Sequence, residues 1–150
     1  MPTLRVTHVE TYLFRRTGRG VQFLVLRRSP GNRELPGVWQ PVTGRIGLLE
    51  RTIEAAVREV REETGLAPIR WWALESTTIY FDPHADHYRC LPLFAAEVAG
   101  DAAVKLSSEH DAFAFVGAAE AARRFLWESQ RRGLAGVRAE VLGPVTLARA

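Results

Sequence analysis

Cysteine is almost missing from this chain: Cys90 stands alone in 150 residues, so no disulfide can close within it. Long apolar runs are missing too. No stretch approaches the roughly 20 residues of a bilayer-spanning helix, and the opening MPTLRVTHVETY lacks the apolar core of a secretory signal. The expectation is a cytoplasmic protein without membrane contact. Lysine is as scarce as cysteine, Lys105 being the single example among 20 Lys and Arg residues. Positive charge is therefore carried by guanidinium groups, which suit bidentate contact with phosphate or carboxylate. Blocks of one charge sign are lacking as well. The pairs Arg15-Arg16, Arg27-Arg28, Arg123-Arg124 and Arg131-Arg132 lie far apart among 17 acidic residues. Nucleic-acid binders instead cluster their basic residues among aromatics, so an anionic small molecule is the better partner. Internal repeats and low-complexity linkers are absent, which points to one domain over 1–150.

What is present can fill a single core: 47% of the residues are hydrophobic and 25% are charged. Leu4 to Arg16 alternates and is rich in β-branched and aromatic residues, Thr17 to Gly20 has turn chemistry, and Val21 to Arg28 has a buried-strand pattern. Ser29 to Gly37 holds two prolines and two glycines and predicts a loop, ahead of a short extended piece, VWQPVTG (38–44). Ile69 to Phe81 and His87 to Val98, joined by DPHAD, predict a long hairpin, with Pro92 marking an edge or a bulge. A strand near 112–116 precedes an alanine-rich helix over about 118–132, ended by Gly133, and the tail beyond it is ambiguous. This order of strands and helices predicts a layered α/β or α+β domain with a mixed sheet.

The segment from Gly44 to Leu66, GRIGLLERTIEAAVREVREETGL, carries five glutamates and four arginines. Its helix is predicted from Thr52, as N-cap, to Thr64, with Gly65 as the left-handed C-terminal residue and Pro68 blocking continuation. Helical spacing puts Ile53, Ala56, Val57, Val60 and Thr64 on one stripe and gathers Glu59, Glu62 and Glu63 on another. Like charges at i, i+3 and i+4 repel by a few tenths of a kcal/mol per pair. Two readings fit that spacing: an ordinary surface in which Arg58 pairs with Glu54 and Glu62, or carboxylates held together for a hard divalent cation.

The same segment resembles the signature box of the Nudix hydrolases, G-x5-E-x7-R-E-U-x-E-E-x-G-U with U aliphatic. It matches at Gly44, Glu50, Arg58, Glu59, Val60, Glu62, Glu63, Gly65 and Leu66. The resemblance implies an α/β/α sandwich around a central mixed sheet and a metal-dependent hydrolase of phosphoanhydrides. It implies Glu59, Glu62 and Glu63 as metal-binding carboxylates for Mg²⁺, with Mn²⁺ as a substitute, and the Thr43 carbonyl as a further ligand. Glu50 and Arg58 would orient loop and helix as an ion pair. One departure is local: many members have Glu at the place of Gly47 and Gly at that of Leu49.

The flanks VWQPVTG and SSEHDAFAFV (107–116) resemble the branch that hydrolyses dihydroneopterin triphosphate and nucleoside triphosphates such as dATP. That resemblance points to Glu109 as an additional metal ligand or as the base that activates water. Arg27 and Arg28 are candidates to clamp phosphates, and only one of them can point inward, since strand neighbours face opposite ways. Trp39, Tyr80 and Phe81 are candidates to stack on a heterocycle, or are core residues. Open alternatives are a dinucleoside polyphosphate or nucleotide-sugar hydrolase, an RNA-end hydrolase suggested by the pI of 9.6, and a non-catalytic Nudix-like nucleotide-binding regulator. Monomer and homodimer are both compatible with the sequence.

Overall fold

Two-residue alternation makes a sheet whose faces bury different side chains. Strand β2 (His8–Thr17) sends Val9 and Leu13 one way and Tyr12 and Phe14 the other; β3 (Gly20–Arg28) does the same with Leu24 and Leu26 against Phe23 and Val25. Helix α1 (Thr52–Thr64) covers the Leu13 face through Ala55, Ala56 and Val60. Helices α2 (Ala118–Arg124) and α3 (Glu128–Glu140) cover the Phe14 face through Ala121, Leu134 and Val137. The computed structural model, which describes residues 1–144, is thus the expected α/β/α sandwich. The expectation of one domain over 1–150, with its ambiguous tail, extends over residues 145–150, which lie outside the described residues.

The sheet is mixed. Strands β1 (Thr3–Arg5) and β2 run parallel to β7 (His87–Glu97), whereas β6 (Arg70–Asp82) pairs with β7 antiparallel. Strand β2 pairs with β3 over Phe14–Thr17 and with β5 (Val42–Arg45) over His8–Thr11, both antiparallel. Strand β3 also carries the short β4 (Trp39–Gln40) and β8 (His110–Val116). The β4–β5 run, broken at Pro41, therefore occupies a gap where β2 and β3 diverge, and a proline suits that break because it has no N–H to donate.

Several local expectations need correction. The N-cap of α1 is Arg51, not Thr52: Arg51 is extended and its N–H donates to the Glu54 carboxylate at 3.0 Å, which the charge-complementary first turn favours. Pro92 lies in an interior strand, so the edge reading fails and the bulge reading holds, with the register shifting between Ala73 and Thr77 opposite it. The backbone N–H groups of Glu75 and Ser76 freed by that shift donate to the Glu140 carboxylate of α3 at 2.6 and 3.3 Å. The helix predicted over 118–132 is two helices. Phe125, buried and extended, breaks it, the extended Trp127 caps α3, and Phe125 bridges to Trp39. Gly133 does not stop α3 but sits inside it, because the Tyr12 ring and hydroxyl occupy the space a Cβ would take.

Candidate active site

The loop before α1 is fastened to the helix by one arginine. Arg58 donates through Nε and Nη2 to the two Glu50 oxygens at 2.8 and 2.9 Å, through Nη1 to Glu59 at 2.6 Å and Glu62 at 3.2 Å, and through Nη2 to the Arg45 carbonyl at 2.7 Å. Glu50 also accepts from the Gly47 N–H at 2.7 Å. The Arg58 bonds first, and the Gly47 N–H second, hold the Glu50 carboxyl down at about 2. Arg58 is in turn pushed above its usual range by Glu50 and then Glu59. The Glu59 carboxylate lies against Gly44 so closely that any β-carbon there would collide with it. Glycine at 44 is what lets the helix carboxylate meet the β5 backbone.

Glu59, Glu62 and Glu63 do not share one exposed face. Glu62 is exposed, Glu59 is half-buried, and Glu63 is 2% exposed. The reason is helical phase: Glu63 lies two turns beyond the buried Ala56 and so points at the sheet. Its Oε2 has no hydrogen-bond partner. Burial, then the charges of Glu109 and Glu59, push its carboxyl up to about 9. Burial also raises Glu59. One oxygen of Glu63, one of Glu109 and a ring nitrogen of His110 all lie within 4.8 Å of one another. A buried carboxyl that faces a second carboxylate with no donor between them is costly unless it is protonated or meets a cation. The donor set of oxygens and one imidazole fits a divalent metal.

Glu109 is brought there by a loop tied down at both ends. Lys105 and Ser107 donate their N–H groups to the carbonyls of Thr64 and Glu63 at 2.8 and 3.4 Å. The Glu109 carbonyl accepts from Ser29 N–H at 2.9 Å and Asn32 Nδ2 at 2.7 Å. Of the two neighbouring arginines, Arg28 faces the site and lines the adjoining cavity, its Nε donating to the Glu34 carbonyl at 2.9 Å. Arg27 points to the opposite face, where it is engaged with Asp111 at 2.8 and 3.2 Å.

The cavity measures about 600 Å³, within the roughly 300–1,000 Å³ usual for small-molecule sites. Thr43, Gly44, Arg28 and Glu109 form its rim toward α1, while Glu10, Gln40, Tyr80, Trp127 and Gln130 line it elsewhere. Trp39 and Phe81 do not line it. Trp39 packs on the α3-side core beneath Arg124, and Phe81 packs against Tyr88 with tilted rings at the hairpin tip. Glu10 was missed by sequence reasoning. It is 3% exposed, and burial raises its carboxyl to about 7 although Tyr12 and Thr43 hydroxyls lie at 3.1 and 3.3 Å. The signal was available: a glutamate two residues before Tyr12 shares the face of a strand that carries Tyr12 and Phe14 into the core. His110 stood beside Glu109 in the quoted flank and was also passed over. Trp127 and Gln130 had no signal, because their place depends on the break between α2 and α3.

Comparison with known proteins bears on this arrangement. A family model described as the NUDIX domain matches residues 5–136. The asymmetrical bis(5′-nucleosyl)-tetraphosphatase of Rattus norvegicus is 29% identical over 116 residues, covering 76% of this chain and 76% of that protein. An octanoyltransferase of Myxococcus xanthus is 35% identical over 117 residues, covering 76% of this chain but 32% of that protein. The chain thus spans about a third of the length of that relative. The dihydroneopterin triphosphate pyrophosphohydrolase of E. coli superposes with a TM-score of 0.70 at 21% identity, covering 93% of this chain and all of its own, a likeness of fold. Among the described residues no helix is long and apolar enough to cross a membrane.

Proposed function

The chain belongs to the NUDIX domain family, and from that premise we propose that it is a metal-dependent pyrophosphohydrolase of a (deoxy)nucleoside triphosphate or dihydroneopterin triphosphate, releasing a monophosphate and pyrophosphate in the cytoplasm. The observation that carries this reading is the buried, unpartnered Glu63 carboxyl facing Glu109 at the rim of the cavity. Glu59, Glu62, Glu63 and Glu109, with the Thr43 carbonyl, would hold Mg²⁺, or Mn²⁺ in its place. A metal held by these residues would neutralise charge on the phosphate oxygens and lower the pKa of attacking water. Arg28, at the same rim, pairs with the polyphosphate. Glu109, the exposed member of the cluster, would take the proton of attacking water. Arg58 and Glu50 hold the loop and touch no substrate. The attached group occupies the cavity beside Tyr80 and Trp127.

A second reading, a dinucleoside polyphosphate substrate, is favoured by the rat tetraphosphatase, which matches over most of both chains. A non-catalytic nucleotide-binding regulator has no use for the full carboxylate set. The deciding experiment is a panel of nucleoside triphosphates, dihydroneopterin triphosphate, dinucleoside polyphosphates and nucleotide sugars, assayed with Mg²⁺ and with Mn²⁺, with products identified by mass. Monophosphate and pyrophosphate from a triphosphate support the first reading. A preference for dinucleoside polyphosphate over every triphosphate supports the second, and no hydrolysis in either metal supports the regulator.

A further inference from the structure

Strand β8 is irregular where it enters the site. Its pairing with β3 matches Arg27 to Ala112 and Arg28 to His110, so Asp111 is an extra residue opposite the Arg27–Arg28 step. A bulge of this kind re-aims the side chains beside it. Here Asp111 turns out to meet Arg27, and His110 turns in to 4% exposure beside Glu63 and Glu109. Buried imidazoles in proteins ordinarily bond through both nitrogens or pack beside a donor. His110 does neither completely. Its Nε2 lies 3.0 Å from Gln40 Nε2, and its Nδ1 is buried without a partner. Glu63 Oε2 is the other orphan in the cluster.

We propose that His110 is a direct metal ligand, completing with Glu63 and Glu109 a mixed oxygen–nitrogen site that favours Mn²⁺ and Co²⁺ over Mg²⁺. Two buried, unpartnered polar groups lie within 4.8 Å of an exposed carboxylate, on a loop fastened to Glu63's own carbonyl and to Ser29 and Asn32. Such a site is assembled before any ion arrives. Imidazole is a borderline donor that Mg²⁺ takes poorly and first-row transition ions take well. Gln40 supplies the support that a metal-bound histidine requires. With its carboxamide turned so that oxygen faces Nε2, it accepts the Nε2–H and leaves the Nδ1 lone pair for the ion. Among the described residues Arg28 is the cation acting on both Glu63 and His110, and its Nε is engaged by the Glu34 carbonyl. The inference rests on the metal-dependent reading above, but it is read without substrate, so the two can fail separately.

The test is pulsed electron paramagnetic resonance of the purified protein loaded with Mn²⁺ alone, prepared once with natural histidine and once with ¹⁵N-histidine. The expected result is a nitrogen coupling typical of bound imidazole that changes with the isotope. It should vanish in His110→Gln and persist in His8→Gln, a histidine that lines the cavity away from Glu63. Gln40→Leu should retain the coupling and weaken Mn²⁺ binding by about tenfold. No imidazole coupling in the wild-type protein overturns the inference without recourse to any variant. A coupling that survives in folded His110→Gln overturns it too. If hydrolysis of every phosphoanhydride is absent while the coupling is present, the metal site stands and the catalytic reading falls.

Discussion

The two faces of the sheet make different kinds of site. On the α1 face the polar groups are ionic and close together, with Glu50, Glu59 and Glu62 gathered by Arg58. On the α3 face the buried Glu10 lines the cavity together with Gln130, Tyr80 and Trp127, and its hydrogen-bond partners there are the uncharged Tyr12 and Thr43 hydroxyls. Under the proposed function one fold separates chemistry from selection: the α1 face would act on the phosphoanhydride, and the α3 face would distinguish what is attached to it.

The largest expected effects break the α1 side. Glu63→Gln and Glu59→Gln should each lower kcat by about 10³ or more for every substrate. The glutamines keep the volume of the glutamates, and the Glu63 change removes a buried acid without a partner, so folding should survive. Steady-state kinetics at saturating Mg²⁺ would show it, and retained turnover in either variant would remove that residue from the machinery. On the α3 side the effects are smaller and selective. Glu10→Leu should change the ratio of kcat/KM between two triphosphates by about tenfold or more, because a buried polar group that reads a ligand is lost. Trp39→Ala sharpens the contrast. It should cost about 2 kcal/mol or more of stability through lost packing and leave KM unchanged, since the ring lies outside the cavity.

The α1 face was legible because its chemistry is local. Motif spacing fixes Glu50, Arg58, Glu59 and Glu63 relative to one another within one loop and one helix, and helix boundaries followed from Gly65 and Pro68. Burial of Glu63 was illegible in a two-stripe drawing of the helix, because the sheet reaches past the apolar stripe to the next turn. The α3 face was poorly legible because it is made by distant pieces. The α2–α3 break depends on Phe125 finding the Trp39 and Tyr12 neighbourhood, and alanine-rich sequence conceals that competition. Arg27 and Arg28 show the same limit. Alternation requires them to diverge, but which of the two faces carries the site is set by the distant loop that brings Glu109 there, while Arg27 meets Asp111, 84 positions away, on the other face.

Acidity gives a further contrast between metal-free and metal-loaded protein. The Glu63 carboxyl is raised in the fold to about 9 from an unfolded value near ~4.3, so its contribution to stability is complete below about pH 4. That contribution is lost as pH rises toward 9. Thermal unfolding in chelator should therefore show Tm falling from pH 5 to pH 9, with a shallower fall in Glu63→Gln; an equal slope in the variant would assign the loss elsewhere. Arg58→Ala should lower Tm on the order of 5 °C and reduce turnover together, because loop and helix separate. A rise in KM with unchanged Tm would mean that Arg58 contacts phosphate instead. The smallest effect concerns the loop. Leu49 is 97% exposed and has φ +63°, a left-handed conformation that costs a side chain about 1–2 kcal/mol. Leu49→Gly should raise Tm by about 2–4 °C without altering kcat, a gain smaller than the strain because glycine also orders more chain entropy.

The division between the faces is tested most directly by measuring kcat/KM for two triphosphates that differ only in the attached group, in the wild-type protein, in Glu63→Gln and in Glu10→Leu. The expected pattern is an unchanged ratio between substrates in Glu63→Gln at a rate lowered about 10³-fold, and a changed ratio in Glu10→Leu with pyrophosphate still the product. A ratio that moves in Glu63→Gln but not in Glu10→Leu would contradict it.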